Sequence, residues 1–234
     1  LTAFDTVIAP DTLSLAATVH LPSRKPAPTV VCCHGLLSSK ESPKFRLLGE
    51  EWGRQGMAVV RFDFSGCGES GRDFGESLLQ CRSRDLEAVL AYVKEQPWAN
   101  GRLSLMGSSM GGYVSLLAAA RRPDAFQGAA CWATPFDARK IRRFLDERSP
   151  LHFPVGYELG RPETLEDLPP LSNVLLVHGQ RDEIVPWREA SQIHRRLGEP
   201  RRLLLLEEAE HRLLSPECRR RAMDASLRWL QRRQ

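Results

Sequence analysis

Residues 103–120 read LSLMGSSMGGYVSLLAAA, and their reading decides the fold. An apolar run stops at Gly107, two serines and two further glycines follow, and an alanine-rich helical pattern begins. Gly and Ser are ordinary turn residues, so a tight turn is the plain reading. Gly107-Ser108-Ser109-Met110-Gly111 is also a G-x-S-x-G elbow between a strand and a helix, with Ser109 as its nucleophile. Ser108 lacks the glycine spacing. Such a motif arises by chance in roughly one chain in fifteen of this length, so the motif alone does not decide.

The residues around it repeat one rhythm. Short apolar runs, TVVCCHG (29–35), MAVVRFDF (57–64), FQGAACW (126–132), NVLLVH (173–178) and RRLLLL (201–206), alternate with helical patterns over 43–56, 77–96, 110–121, 186–197 and 216–231. Two N-terminal strands are expected at 2–9 and 13–21, and the strand before the elbow at 102–106. This alternation predicts an α/β fold with a mostly parallel sheet, whose strands are apolar because both faces are covered. Ligands in such sheets bind beyond the carboxyl ends of the strands. Different strand ends there carry Ser109, Asp182 and His211, in that chain order.

These types fit one chemistry. A serine hydroxyl is a weak nucleophile until a base takes its proton. His211 is the candidate base, and Asp182 fixes its tautomer and stabilises the imidazolium. Glu207, Glu208 and Glu210 stand too close to His211 in sequence to be its partner. The Met110 N–H at the helix start and the Leu36 N–H after strand 29–33 are the candidate oxyanion donors. Asp63 is expected to fix the glycine loop, His34 and His178 to bond loop backbone, and Cys67 to be an inert small residue. Residues 135–170 break the rhythm and read as an inserted cap. Phe136, His152 and Phe153 are candidate substrate contacts there, and Arg139, Lys140, Arg142 and Arg143 suggest a preference for anionic substrates.

The chain has 234 residues and a formal net charge of +4, suited to one domain spanning 1–234 with its cap at about 135–170. The basic residues are interspersed with acids and carry no recognition motif, which excludes a nucleic-acid binder. No apolar run reaches the roughly 20 residues of a membrane span. Leu1 to Pro10 has no basic region leading into a long apolar one, so no signal peptide is expected. The six cysteines form no C-x-x-C pair, which argues against a zinc site or disulfide framework and for a reducing compartment, the cytoplasm.

CCHGLLSS, VVRFDFSGCGESG, LMGSSMGGYVSLLAA, VLLVHGQRDEIVP and EAEHRL together resemble the α/β-hydrolase superfamily, from about Leu13 to Leu230. The likeness is to small bacterial serine esterases, the feruloyl/cinnamoyl group, and to monoglyceride lipases and acyl thioesterases. It implies an eight-stranded, mostly parallel sheet, a cap after strand six, and the roles already given to Ser109, Asp182, His211, Leu36 and Met110. A serine nucleophile argues against a dienelactone-hydrolase type, and a short cap argues against a lipase lid. The chain has no room for the N-terminal propeller of prolyl-oligopeptidase-type relatives. The expected activity is hydrolysis of small or medium carboxylic esters, with no metal and no cofactor, by a monomer or homodimer. Thioester hydrolysis is the first alternative, then amide hydrolysis, then a non-catalytic binding protein on the same fold.

Overall fold

The computed structural model describes residues 1–10, 14–71, 77–140, 164–166 and 168–232. Eight strands form one sheet: β1 (Thr2–Ile8), β2 (Leu15–Leu21), β3 (Ala27–Cys33), β4 (Ala58–Phe62), β5 (Ala99–Ser108), β6 (Gly128–Trp132), β7 (Val174–Gly179) and β8 (Arg201–Leu206). Their spatial order is β1-β2-β4-β3-β5-β6-β7-β8. β1 and β2 run antiparallel to their neighbours, and every pairing from β4 to β8 is parallel.

Alternation along each strand divides the core in two. Val30, Cys32, Val59, Met106 and Leu175 pack on one face under α1 (Pro43–Arg54) and α5 (Pro216–Gln231). Val31, Cys33, Val60, Leu105 and Leu176 pack on the other under α2 (Leu78–Lys94), α3 (Met110–Arg121) and α4 (Trp187–Arg196). Unbroken apolar runs such as TVVCC are therefore required, since neither face meets water. α3 is buried from Met110 to Ala119, which explains why its sequence is apolar on every side.

The chain leaves β3 for β4 on one side and later crosses to β5 on the other. β3 is thus the topological switch point, and the crevice beyond β3 and β5 is where such a sheet binds ligands. β5 is longer than the expected 102–106. Ala99 pairs with Ala27 at one end and Ser108 with Trp132 at the other, so regular pairing carries the chain up to the residue before Ser109.

Past β6 the backbone enters and leaves an insertion side by side. Asp137 bridges Thr164, and the Leu165 N–H donates to the Phe136 carbonyl at 2.9 Å. Buried Glu189 of α4 accepts from the Phe136 N–H at 2.9 Å and from Lys140 Nζ at 2.9 Å. Most of the cap expected at about 135–170 lies outside the described residues, with Arg142, Arg143, His152 and Phe153. No helix among the described residues is long and apolar enough to cross a membrane.

Candidate active site

Ser109 stands between β5 and α3 with φ 54° and ψ −121°. A positive φ costs a side-chain-bearing residue on the order of 1–3 kcal/mol, and it persists only where the surroundings impose it. Here they do. The Ser109 N–H donates to the Trp132 carbonyl at 2.7 Å, and the Ser109 carbonyl accepts from the Tyr113 N–H at 3.1 Å. A Cβ on Gly111 would fall on the Cys33 carbonyl, and one on Gly107 on the Gly111 and Gly112 backbone. The glycines let the turn close and bring the start of α3 against the end of β3. The Met110 N–H, at the first position of α3, belongs to the group that a helix leaves without an internal partner.

His211 lies in the loop after β8, and its Nδ1 is 2.8 Å from Asp182 Oδ2 and 3.0 Å from Oδ1. Facing a carboxylate, Nδ1 carries the proton, which leaves Nε2 as the free base. Asp182 Oδ1 also accepts from the Ile184 and Val185 N–H groups, at 2.9 and 2.8 Å. His178 Nε2 sits 3.2 Å from Oδ2 and 2.8 Å from the Val185 carbonyl. Burial alone would raise the Asp182 carboxyl. The hydrogen bonds from His178, His211 and Val185 outweigh it and hold the group at about 2. Glu207, Glu208 and Glu210 do not form this pair.

The Leu36 N–H is oriented by a neighbour. His34 Nδ1–H donates to the Gly35 carbonyl at 2.7 Å, while its Nε2 accepts from the Phe64 N–H at 3.1 Å. In a trans peptide the N–H points opposite the C=O. Anchoring the Gly35 carbonyl therefore turns the Leu36 N–H the other way. Buried Arg82 of α2 completes the clamp, donating to the His34 and Leu36 carbonyls at 3.3 Å each, with its guanidinium 4.4 Å from the centre of the Phe64 ring. Asp63 ties two loops together by accepting from the Lys40 N–H at 2.6 Å and the Glu69 N–H at 3.0 Å. Cys67 is half-buried, with burial pushing its thiol up.

A pocket of about 750 Å³ joins these pieces, lined by Leu36, Ser108, Ser109, Ile184 and His211 among others. Phe136, expected at the substrate, is not among its described lining residues. Its ring lies under the Arg196 guanidinium at 4.7 Å, at the base of the insertion. Of the expected cationic cluster, Arg139 pairs with Asp137 and Lys140 with Glu189, while Arg142 and Arg143 lie outside the described residues. Four lining or clamping cations escape the sequence reading: Lys44, Arg82, Arg212 and Arg219. Lys44 carried a signal, because a cation in the first turn of a helix opposes the helix dipole.

The sheet order, with the elbow beside its switch point, makes the chain an α/β hydrolase. Residues 43–233 match the prolyl oligopeptidase family (Peptidase_S9), and the chain belongs to that family. The match falls within the α/β region and requires no propeller. Among curated proteins, the chain is 28% identical over 211 residues to Palmitoyl-protein thioesterase ABHD10, mitochondrial, of Mus musculus, covering 80% of this chain and 69% of that one. It is similar in structure to Est1E of Butyrivibrio proteoclasticus bound to ferulic acid, with TM-score 0.80, 20% identity, and 97% and 98% of the two chains covered. Mouse Alpha/beta hydrolase domain-containing protein 10 superposes with TM-score 0.72 and 23% identity, over 95% and 96% of the chains.

Proposed function

We propose that the protein is a serine hydrolase that cleaves carboxylic esters of small to medium acyl groups through an acyl-Ser109 intermediate. The observation that carries this reading is the Asp182–His211 pair at 2.8 Å, whose histidine lines one pocket with a serine held at φ 54°. Ser109 Oγ attacks the ester carbonyl as His211 Nε2 takes its proton. The Leu36 and Met110 N–H groups receive the oxyanion, a contribution of about 2.7–4 kcal/mol per donor. The tetrahedral species collapses, His211 returns the proton to the leaving alcohol, and acyl-Ser109 remains. Water, deprotonated by His211, attacks the acyl group and releases the acid and Ser109.

Thioester hydrolysis is the second reading, favoured by the name of the ABHD10 relatives, and it uses the same groups. We read residues 1–234 as one domain with its cap at about 135–170. Six free cysteines support a reducing compartment, which we take to be the cytoplasm. The test is fluorophosphonate labelling together with hydrolysis of 4-nitrophenyl esters and matched acyl-CoA thioesters. A labelled Ser109 and a Ser109→Ala protein without turnover are expected, and the ester-to-thioester ratio chooses between the two readings. An unlabelled wild type that cleaves neither series refutes both.

A further inference from the structure

The pocket that holds Ser109 and His211 is strongly cationic on one side. Lys44 of α1, Arg212 of the loop after β8 and Arg219 of α5 all line it. Lys44 Nζ donates to the Ser108 hydroxyl at 2.7 Å, one residue from Ser109. Arg219 is held in place by the Leu213 and Leu214 carbonyls, each at 3.0 Å. No ion pair among the described residues joins any of these three to a carboxylate. The lining carboxylate Glu41 is committed to Lys40, Arg46 and Arg61, and Asp182 to His211 and His178. At Lys44 the repulsion from Arg219 and Arg212 is offset only in part by the nearby Asp182 and Glu210, and an oxyanion placed among the three cations removes what remains. Lys44 also sits where the α1 dipole disfavours positive charge, a local rule broken at the site. Apolar side chains share the lining, with Leu37 and Leu214 exposed beside Leu36 and Ile184.

We propose that Lys44, Arg212 and Arg219 form an oxyanion-binding subsite, and that the substrate is an amphipathic ester bearing a carboxylate or phosphate beside its apolar part. The inference rests on the serine-hydrolase reading above and names its substrate class. It moves the basis of anion preference from the cap cluster to the pocket wall.

Two measurements test it. The first compares kcat/KM for mono-4-nitrophenyl adipate and 4-nitrophenyl hexanoate, acyl chains of equal length with and without a terminal carboxylate. At low salt the wild type is expected to favour the charged ester by about tenfold, and the ratio to collapse toward one at high salt and in Lys44→Gln and Arg219→Gln. A wild-type ratio of one or below overturns a carboxylate on the acyl side. The second measurement titrates adipate, hexyl phosphate and uncharged adipamide onto the Ser109→Ala protein by calorimetry. Tighter adipate names a carboxylate, and tighter hexyl phosphate a phosphate. Anions that bind no better than adipamide overturn the subsite. Cleavage of the hexanoate without anion preference or anion binding sinks the subsite and leaves the hydrolase standing. No cleavage and no fluorophosphonate label sink the hydrolase, and calorimetry alone then decides the subsite.

Discussion

The loop after β3 and the loop after β8 each bring one histidine to the same edge of the sheet. His34, in the first, is fully buried, and the main chain occupies both its nitrogens: Gly35 accepts from Nδ1 and Phe64 donates to Nε2. Burial, with the charges of Arg82 and Lys44, depresses its pKa to about 3, against a weaker upward pull from Gly35, so the ring stays neutral. His211, in the second, is partly exposed and gives only Nδ1 to the protein, to the Asp182 carboxylate. One ring is a strut between two loops, and the other keeps Nε2 without a hydrogen-bond partner among the described residues. What separates them is the partner of the second nitrogen, which residue identity does not encode.

The comparison breaks most directly by deleting each ring. His211→Ala is expected to lower kcat by about 10⁴–10⁶ while leaving the melting temperature within a few degrees. His34→Ala is expected to melt well below the wild type, because two buried backbone groups lose their partners, each loss worth roughly 1–3 kcal/mol. Equal melting temperatures for the two variants would erase the distinction. Asp182→Asn comes next, with a loss of about 10⁴ in kcat, since the amide no longer fixes the Nδ1–H tautomer. A loss below tenfold would mean that another group orients His211.

Arg82→Met probes the strut from outside. It keeps apolar packing on Phe64 and leaves the His34 and Leu36 carbonyls unpaired. We expect kcat to fall by about 10- to 100-fold with KM little changed, because a loosened Leu36 donor acts on the transition state alone. A change in KM alone would place Arg82 in substrate binding instead.

The pH dependence sharpens the same contrast. In the unfolded chain histidine titrates near 6.5, whereas folded His34 and His20 do so at about 3 and about 4. As the pH falls below 6.5 the unfolded state takes up protons that the folded state refuses, so stability declines with acid. Asp182 adds stability that is complete above its unfolded value of 3.8 and is lost only toward about 2. Asp63 and Asp85, raised by burial against their backbone hydrogen bonds, act with the opposite sign at low pH. Urea midpoints are therefore expected to begin falling near pH 6.5, and midpoints flat down to pH 5 would refute the neutral strut. The smallest effect concerns Lys44. Burial, then Arg219 and Arg212, lower its ammonium to about 8 against the pull of Asp182 and Glu210. Preference for the charged ester should weaken as pH rises through 8. A constant ratio would assign it to the arginines.

Local chemistry made much of the molecule legible. Apolar runs of strand length between helical patterns announce a parallel sheet, because covering both faces demands unbroken apolar residues. The elbow announces itself because only glycine fits where α3 meets the end of β3. His34 was legible as a backbone anchor and Asp63 as a loop tie, both being polar groups at the ends of buried strands. The packing of Phe136 was not legible, because its ring meets the Arg196 guanidinium at the base of the insertion, a contact between segments far apart in the chain.

By itself, then, the sequence determined the class of sheet, the strained serine and the types of residue at its strand ends, because backbone geometry and burial act over a few residues. The Asp182–His211 pair was expected from residue types at the strand ends, and tertiary structure alone decided two further things: that Arg82 clamps the loop carrying Leu36, and that Lys44, Arg212 and Arg219 line one pocket. Each joins side chains from separate segments, and charge and hydrogen bonding act through space, where only the order and twist of the assembled sheet set the distances.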